Sequence, residues 1–358
     1  MLIVRSPVRI SFGGGGTDLP AYYQEYGGAV LSTAINKYFY TILGRRFDQC
    51  IQIISSDLRV CERWRDFSSL DIEGTSLEIP VAVLKDLDQE IFADLFLASE
   101  IPPGTGLGSS ASVCVNVLKT LTTYLHMPLS KSELAERAFK IARVLLQRHV
   151  GKQDEYAAAF GGLNFIELLP DGSTRVEPLE LSPSLVSDFE RNLLLFFTGS
   201  AHHSWGILEE QERSTQEHSK KPLEALHAIK DLAYRMRDAL QRGDLRNFAL
   251  MMHESWMAKK KVSSKISNRQ IDLAYEAALH RGALGGKITG AGGGGFLLLF
   301  CEPEHQDAVR QALSEQGLKE MSFSFDFQGA HVLVNDPFID NDERSASRWT
   351  FLPLASSR

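Results

Sequence analysis

Four stretches of this 358-residue chain carry residue types and spacings suited to chemistry, and glycine punctuates each of them. In Pro102-Pro103-Gly104-Thr105-Gly106-Leu107-Gly108-Ser109-Ser110-Ala111 the glycines alternate with other residues just ahead of a helical pattern. Glycine lets backbone N–H groups approach a ligand without a Cβ in the way, and a helix start adds unpaired N–H groups and a positive dipole end. Such a run cradles phosphate, and the hydroxyl of Ser109 or Ser110 is within reach of a magnesium ion or a phosphate oxygen. Taken alone, it reads equally as a Gly-rich turn with a serine N-cap. A Walker A loop is excluded because no Lys follows the glycines, and Gly-x-Gly-x-Gly is not the dinucleotide fingerprint.

The second stretch, Pro7-Val8-Arg9-Ile10-Ser11-Phe12-Gly13-Gly14-Gly15-Gly16-Thr17-Asp18, ends on a carboxylate. Asp18 either accepts hydrogen bonds from ligand hydroxyls or caps a helix over residues 19–26. Arg9, in a strand, reads as a functional cation or a surface residue. In the third, Gly151-Lys152-Gln153-Asp154-Glu155-Tyr156-Ala157-Ala158-Ala159-Phe160-Gly161-Gly162, Asp154 is either a group that orients or deprotonates a hydroxyl nucleophile or a solvated helix-terminal acid. The fourth, residues 285–296, is a tight strand entry or a second Gly loop that closes on a ligand.

The elements that must position these residues follow from periodicity. Strands are predicted over residues 8–12, 38–43, 50–54 and 95–101, where β-branched residues alternate. Cys114, Val117, Leu118, Leu121 and Leu125 share one helical face, so strand, Gly loop and helix follow in order. Ser130 with Glu133 forms a capping box opening a helix that is predicted to reach about Gln147. Residues 170–173 read as a turn, 193–197 as a strand, 205–281 as mainly helical, and 296–300 as a buried strand. The chain is therefore α+β, strand-rich first and helix-rich later, with predicted domains over 1–180 and 181–335 and a peripheral polar tail over 336–358.

Composition narrows the partners. The net charge is −7, with 44% hydrophobic and 23% charged residues. No long Lys/Arg block offers a footprint for nucleic acid or anionic lipid, so an anionic ligand must be held locally. No apolar run approaches the ~20 residues that span a bilayer. Cys50, Cys61, Cys114 and Cys301 are scattered without a C-x-x-C pair, which suggests reduced thiols. Charge and Pro arrive too early in residues 1–7 for a signal-peptide apolar stretch, and a cytoplasmic location is expected. Oligomeric state stays open.

Taken in this order, the segments at 7–18, 102–111 and 287–295 resemble the three motifs of the GHMP family of small-molecule kinases, over about residues 4–335. The resemblance implies a two-domain α+β fold, with an N-terminal domain like domain 2 of ribosomal protein S5, a ferredoxin-like C-terminal domain, and the active site between them. It implies that Pro103, Gly104, Thr105, Gly106, Leu107, Gly108, Ser109 and Ser110 wrap the phosphates of ATP, with Ser110 helping to hold Mg2+. Asp154 matches the catalytic aspartate and Arg9 the cation kept beside it in galactokinases. Gly15, Gly16, Thr17, Asp18, Gly292 and Gly293 match the substrate side. Further likeness, in Gly151-Lys152-Gln153-Asp154 and His253-Glu254-Ser255-Trp256 among others, is to kinases of D-glycero-D-manno-heptose 7-phosphate, which act on the anomeric hydroxyl. The partners so implied are ATP and a small sugar phosphate. Another sugar 1-kinase and a non-catalytic sugar or nucleotide sensor are the competing readings.

Two departures bear on chemistry. The family places a magnesium-binding Glu in an Ile-Glu-Arg run about a dozen residues before the catalytic Asp, and this chain reads Ile141-Ala142-Arg143. A weaker or rearranged magnesium site is expected, since such ions need oxygen ligands. Where the heptose kinases carry Thr-Gly-x-x-Arg, His202 follows Thr198-Gly199, and a neutral imidazole replaces a fixed cation poorly. The pair His202-His203 lacks the ligand pattern of a metal site. The run Lys259-Lys260-Lys261 reads as a solvated helix face, from which one lysine, or Lys287, reaches substrate phosphate.

Overall fold

A computed structural model describes residues 1–199 and 205–336. In chain order the first elements are β1 (Leu2–Gly13), α1 (Pro20–Tyr26), β2 (Gly28–Arg45), β3 (Ile51–Ser55), β4 (Val60–Trp64), α2 (Glu78–Leu87), β5 (Ala93–Ser99) and α3 (Ser109–Tyr124). Then come α4 (Lys131–Lys140), α5 (Gln153–Phe160), β6 (Leu163–Leu168), β7 (Thr174–Pro178), α6 (Pro183–Arg191), β8 (Leu193–Phe197) and α7 (Trp205–Gln216). The chain closes with α8 (Lys220–Gln241), α9 (Leu245–Lys259), α10 (Arg269–His280), β9 (Ala283–Ile288), β10 (Phe296–Cys301), α11 (Pro303–Glu315), β11 (Lys319–Glu320) and β12 (His331–Asn335).

An eight-stranded sheet runs β12-β1-β2-β5-β3-β4, with β6 and β7 continuing from the other half of β2. A four-stranded antiparallel sheet has the order β11-β8-β10-β9. Its central strands β8 and β10 are apolar at every position because both faces are covered. The strand β12 pairs with β1, so residues 331–335, read from sequence as the end of the C-terminal domain, complete the first sheet instead. Pairing between positions as far apart as Leu2 and Asn335 leaves no local trace in the sequence.

β1 decides where the chemistry sits. Proline has no N–H to give the ladder, and the register between β1 and β2 shifts at Pro7/Val8. Before the shift Leu2 and Val4 join the core under α2 and α3; after it Val8, Ile10 and Phe12 join a different core, between the sheets. A bulge that reverses inward and outward positions thus turns Arg9 and Ser11 toward the side where Ser6 accepts a hydrogen bond from Asn116 of α3. The second core is aromatic: Phe12 meets Phe189 of α6 at 5.1 Å and Phe248 of α9 at 5.7 Å between ring centroids.

The capping box at the start of α4 forms, but the helix it opens ends early. Ser130 accepts from the Glu133 N–H and Glu133 accepts from the Ser130 N–H, as the capping box predicts. The helix does not run on to Gln147. α4 ends at Lys140 and widens into a π-helical turn over Ile141–Leu145, in which the Leu146 N–H reaches back five residues to the Ile141 carbonyl. Ala142 lies in that turn.

Candidate active site

Asp154 is the second residue of α5, and Arg9 of β1 meets it across the sheet. Arg9 Nε donates to Asp154 Oδ1 at 2.8 Å, and a second guanidinium nitrogen lies 2.6 Å from the same oxygen. Its remaining arm donates to the Gly106 carbonyl at 2.6 Å, so one buried cation ties the carboxylate to the Gly loop. Oδ2 of Asp154 is left facing Gly108, where a Cβ would come within 3.1 Å of it. Burial pushes the Asp154 carboxyl above the usual aspartate range, Arg9 pulls it down, and Asp18 pushes it up again.

The loop ahead of α3 turns on left-handed glycines. Gly104, Gly106 and Gly108 have φ of 76°, 78° and 78°, the left-handed region that glycine adopts freely, and they alternate with Thr105 and Leu107. Gly108 is itself the N-cap of α3, with no side-chain cap. Ser109 and Ser110 are therefore the first helical residues rather than a cap, and both line the cleft. The second Gly loop packs on the first. A Cβ on Gly106 would meet the Thr289 carbonyl at 2.6 Å, one on Gly290 the Gly106 carbonyl at 2.8 Å, and one on Gly295 the Thr105 carbonyl at 2.3 Å.

Asp18 does not cap α1, whose N-cap is Leu19 without a side-chain bond. Buried instead in the cleft wall, its carboxylate accepts from the Gly16 N–H at 2.9 Å and the Gln153 N–H at 3.3 Å. Ser11 Oγ and Gln153 Oε1 flank Gly15 and are buried without a hydrogen-bond partner, an arrangement suited to a hydroxylated ligand. Lys259 donates to the Gly15 carbonyl at 3.0 Å and to Gln211 Oε1 at 3.1 Å. Burial lowers it to about 8, against the upward pull of Asp18. Lys287 of β9 donates to the Ser11 carbonyl at 2.7 Å and is lowered to about 7 by burial and by its fellow cations Lys259 and Arg9.

Arg9, Ser11, Gly15, Asp18, Asp154 and Lys259 line one cleft, to which β1, α3, α5, α9 and the second Gly loop contribute. Past Gly104, Ser109 and Ser110 it meets a second cavity, walled largely by apolar residues such as Phe39, Leu77, Leu97 and Val113. Pro103 lines that second cavity.

Four residues marked from sequence point elsewhere. The Thr17 hydroxyl is fully buried, donating to the Gly14 and Ala29 carbonyls at 2.8 and 3.0 Å, and so braces the turn rather than the cleft. The Thr105 hydroxyl donates to the Pro102 carbonyl and Leu107 is buried in the core between the sheets, so neither side chain lines the cleft. Gly293 donates to the Ile266 carbonyl at 2.8 Å, while its neighbour Gly292 lines the cleft. His202 and His203 lie outside the described residues. Of the lysine run, Lys261 is exposed, Lys260 pairs with Asp272, and only Lys259 enters the cleft, one turn of α9 having buried a third of a run that reads as solvated.

Sequence reasoning assigned no role to Ser11, Gln153, Gln211 or Glu155. Glu155 is 2% exposed, lines the cleft, and has its carboxyl raised well above the glutamate range by burial and then by Asp154. All but Gln211 fall inside the Gly-punctuated stretches, the one signal available for them.

Residues 78–162 match the model of the GHMP kinases N terminal domain and residues 236–319 that of the GHMP kinases C terminal region. The D-glycero-alpha-D-manno-heptose 7-phosphate kinase of Campylobacter jejuni is 33% identical over 333 residues, covering 91% of this chain and 96% of that protein. The crystal structure of a D-glycero-D-manno-heptose 1-phosphate kinase from Bacteroides thetaiotaomicron matches with a TM-score of 0.80 at 30% identity, over 94% of this chain and 100% of that one. Lactococcus lactis galactokinase with bound galactose shares the fold, with a TM-score of 0.72 at 20% identity over 92% and 94% of the two chains. This chain belongs to the GHMP kinase family, with its α+β fold. Within that family it is an ATP-dependent sugar kinase, a phosphotransferase with an alcohol acceptor. No helix among the described residues is long and apolar enough to cross a membrane.

Proposed function

We propose that the chain transfers the γ-phosphoryl group of ATP to the anomeric hydroxyl of D-glycero-D-manno-heptose 7-phosphate, giving the 1,7-bisphosphate for nucleotide-activated heptose and surface polysaccharide. One observation carries the chemistry: the Arg9-bound carboxylate of Asp154 beside the Gly loop and the first turn of α3. The heptose 7-phosphate kinase at 33% identity supports the choice of sugar.

In this reading the nucleoside occupies the apolar cavity and the phosphates lie on the amides of residues 104–110. Arg9 fixes Asp154 through Oδ1, which leaves Oδ2 to orient the sugar hydroxyl and accept its proton as the phosphoryl group is transferred. Upward pressure on the Asp154 carboxyl makes it a better proton acceptor than an exposed aspartate. Asp18, Ser11 and Gln153 receive sugar hydroxyls, and Lys259 meets anionic charge on the substrate.

Magnesium takes oxygen ligands in a near-octahedral set, commonly one or two carboxylates with substrate phosphates and water. The cleft offers the Ser110 hydroxyl and the carboxylates of Asp154 and Glu155, and a buried Glu155 Oε2 without a hydrogen-bond partner fits that donor set. When bound, the ion neutralises charge on the phosphates.

The test is ADP release, coupled to an optical readout, over heptose 7-phosphate, free heptose, galactose and fucose, with Asp154→Asn as the control. Turnover of heptose 7-phosphate, lost in Asp154→Asn while ATP still binds, is the expected result. Turnover of the free sugars alone would move the assignment to another sugar 1-kinase, and ligand binding without ADP release from any sugar would make the chain a sensor.

A further inference from the structure

Glu155 is the buried acid of the cleft that takes no part in orienting the sugar hydroxyl or in accepting its proton. Consecutive helical residues diverge by about 100°, so Asp154 turns to Arg9 and Gly108 while Glu155 takes another direction. α5 packs against α3, and the charge of Glu155 acts on Cys114, which is one turn beyond Ser110 on that helix. Glu155, Ser110, Cys114 and Ala142 all line the same cleft.

An isolated buried carboxylate is costly unless something positive meets it. Here Oε2 accepts no hydrogen bond. The charges with the largest influence on it are those of Asp154 and then Asp18, both of its own sign. Arg9 is committed to Asp154 and Gly106, and Arg148, which lines the same cleft, pairs with Glu78. Asp18, Asp154 and Glu155 do not bring their oxygens within 4.8 Å of one another, so they form no ready-made three-carboxylate cage. The arrangement instead suits an ion that takes one or two carboxylates and completes its shell with a hydroxyl, phosphate and water. Ala142 offers only a methyl group to this cleft, from the π-helical turn.

We infer that Glu155 is a ligand of the nucleotide-bound divalent cation, supplying from α5 the carboxylate that position 142 lacks. The inference rests on the reading of the cleft as an ATP site.

The experiment measures binding of Mn2+, as a spectroscopic substitute for Mg2+, by loss of the free-ion electron paramagnetic resonance signal. It uses the full chain saturated with a non-hydrolysable ATP analogue, in wild type, Glu155→Gln, Ala142→Glu and the double variant. Analogue affinity is measured separately in EDTA. Glu155→Gln should weaken Mn2+ binding roughly tenfold or more while leaving metal-free analogue affinity unchanged, and Ala142→Glu in the Glu155→Gln background should recover most of the loss. A thermal midpoint of Glu155→Gln at or above the wild-type value in EDTA shows that the variant folds. Wild-type Mn2+ affinity in Glu155→Gln overturns the inference, as does a loss that Ala142→Glu fails to recover. Failure of wild type to bind the analogue at all would overturn the ATP-site reading, a separate outcome.

Discussion

Lys287 shows how much a single residue's position decides. Its ammonium is buried beside Arg9 and Lys259, and its folded-state value of about 7 lies below the ordinary value of 10.5. Between those two values the unfolded chain holds a proton that the folded chain has released. Stability therefore rises with pH across that window and loses this contribution as pH falls toward 7. Lys287→Met removes the group, so urea unfolding at pH 7.5, 8.5 and 9.5 should show wild type gaining on the variant by up to about 1.4 kcal/mol per pH unit. Parallel profiles would mean that Lys287 stays protonated in the fold. From sequence this lysine was one of several that could reach phosphate, and nothing local distinguished it. Arg9 and Asp154 were legible as candidates only, since each had an ordinary reading until a fold joined residues 145 positions apart.

At the scale of elements, the two Gly loops form a single construction. Gly106 combines a φ of 78° with a Thr289 carbonyl 2.6 Å from where a Cβ would stand. An alanine there pays the left-handed backbone cost and also forces the loops apart. Gly106→Ala should lower stability by about 1–3 kcal/mol in chemical unfolding and weaken nucleotide binding by calorimetry. Gly44→Ala, in β2 with nothing within 4 Å of the added atom, is the matched control and should change neither. Unchanged nucleotide affinity in Gly106→Ala would separate the second Gly loop from the first. The strand–Gly loop–helix order was legible here, because alternation, glycine and a helical face are local signals. The π-helical turn after α4 was not, because the amphipathic pattern continues through it.

For the whole molecule, the aromatic core between the sheets is the governing feature. Phe12 from β1, Phe189 from α6, Phe248 from α9, Phe300 from β10 and Phe325 all belong to it, so neither sheet keeps its inner face covered without the other. β12 adds a second tie by returning to β1. Unfolding in urea should be one transition, with coincident midpoints by far-ultraviolet circular dichroism and by tryptophan fluorescence. Trp64 reports on β4 and Trp256 on α9. Separated midpoints would show that the two parts unfold independently. A shared core also fixes the cleft, since the wall carrying Asp18 and Asp154 and the wall carrying Lys259 and Gly292 cannot drift apart without exposing it.

The sequence alone determined the Gly loop ahead of α3, the α+β class and the family, because glycine spacing, helix caps and apolar runs act on the chain within a few residues of themselves. Tertiary structure alone decided which side chains reach the cleft. A register shift at Pro7 turns Arg9 and Ser11 to the chemical side, a backbone brace takes Thr17 away from it, and helix geometry sends Glu155 and Asp154 in different directions. Those outcomes depend on which surfaces pack together, and spacing along the chain does not encode that.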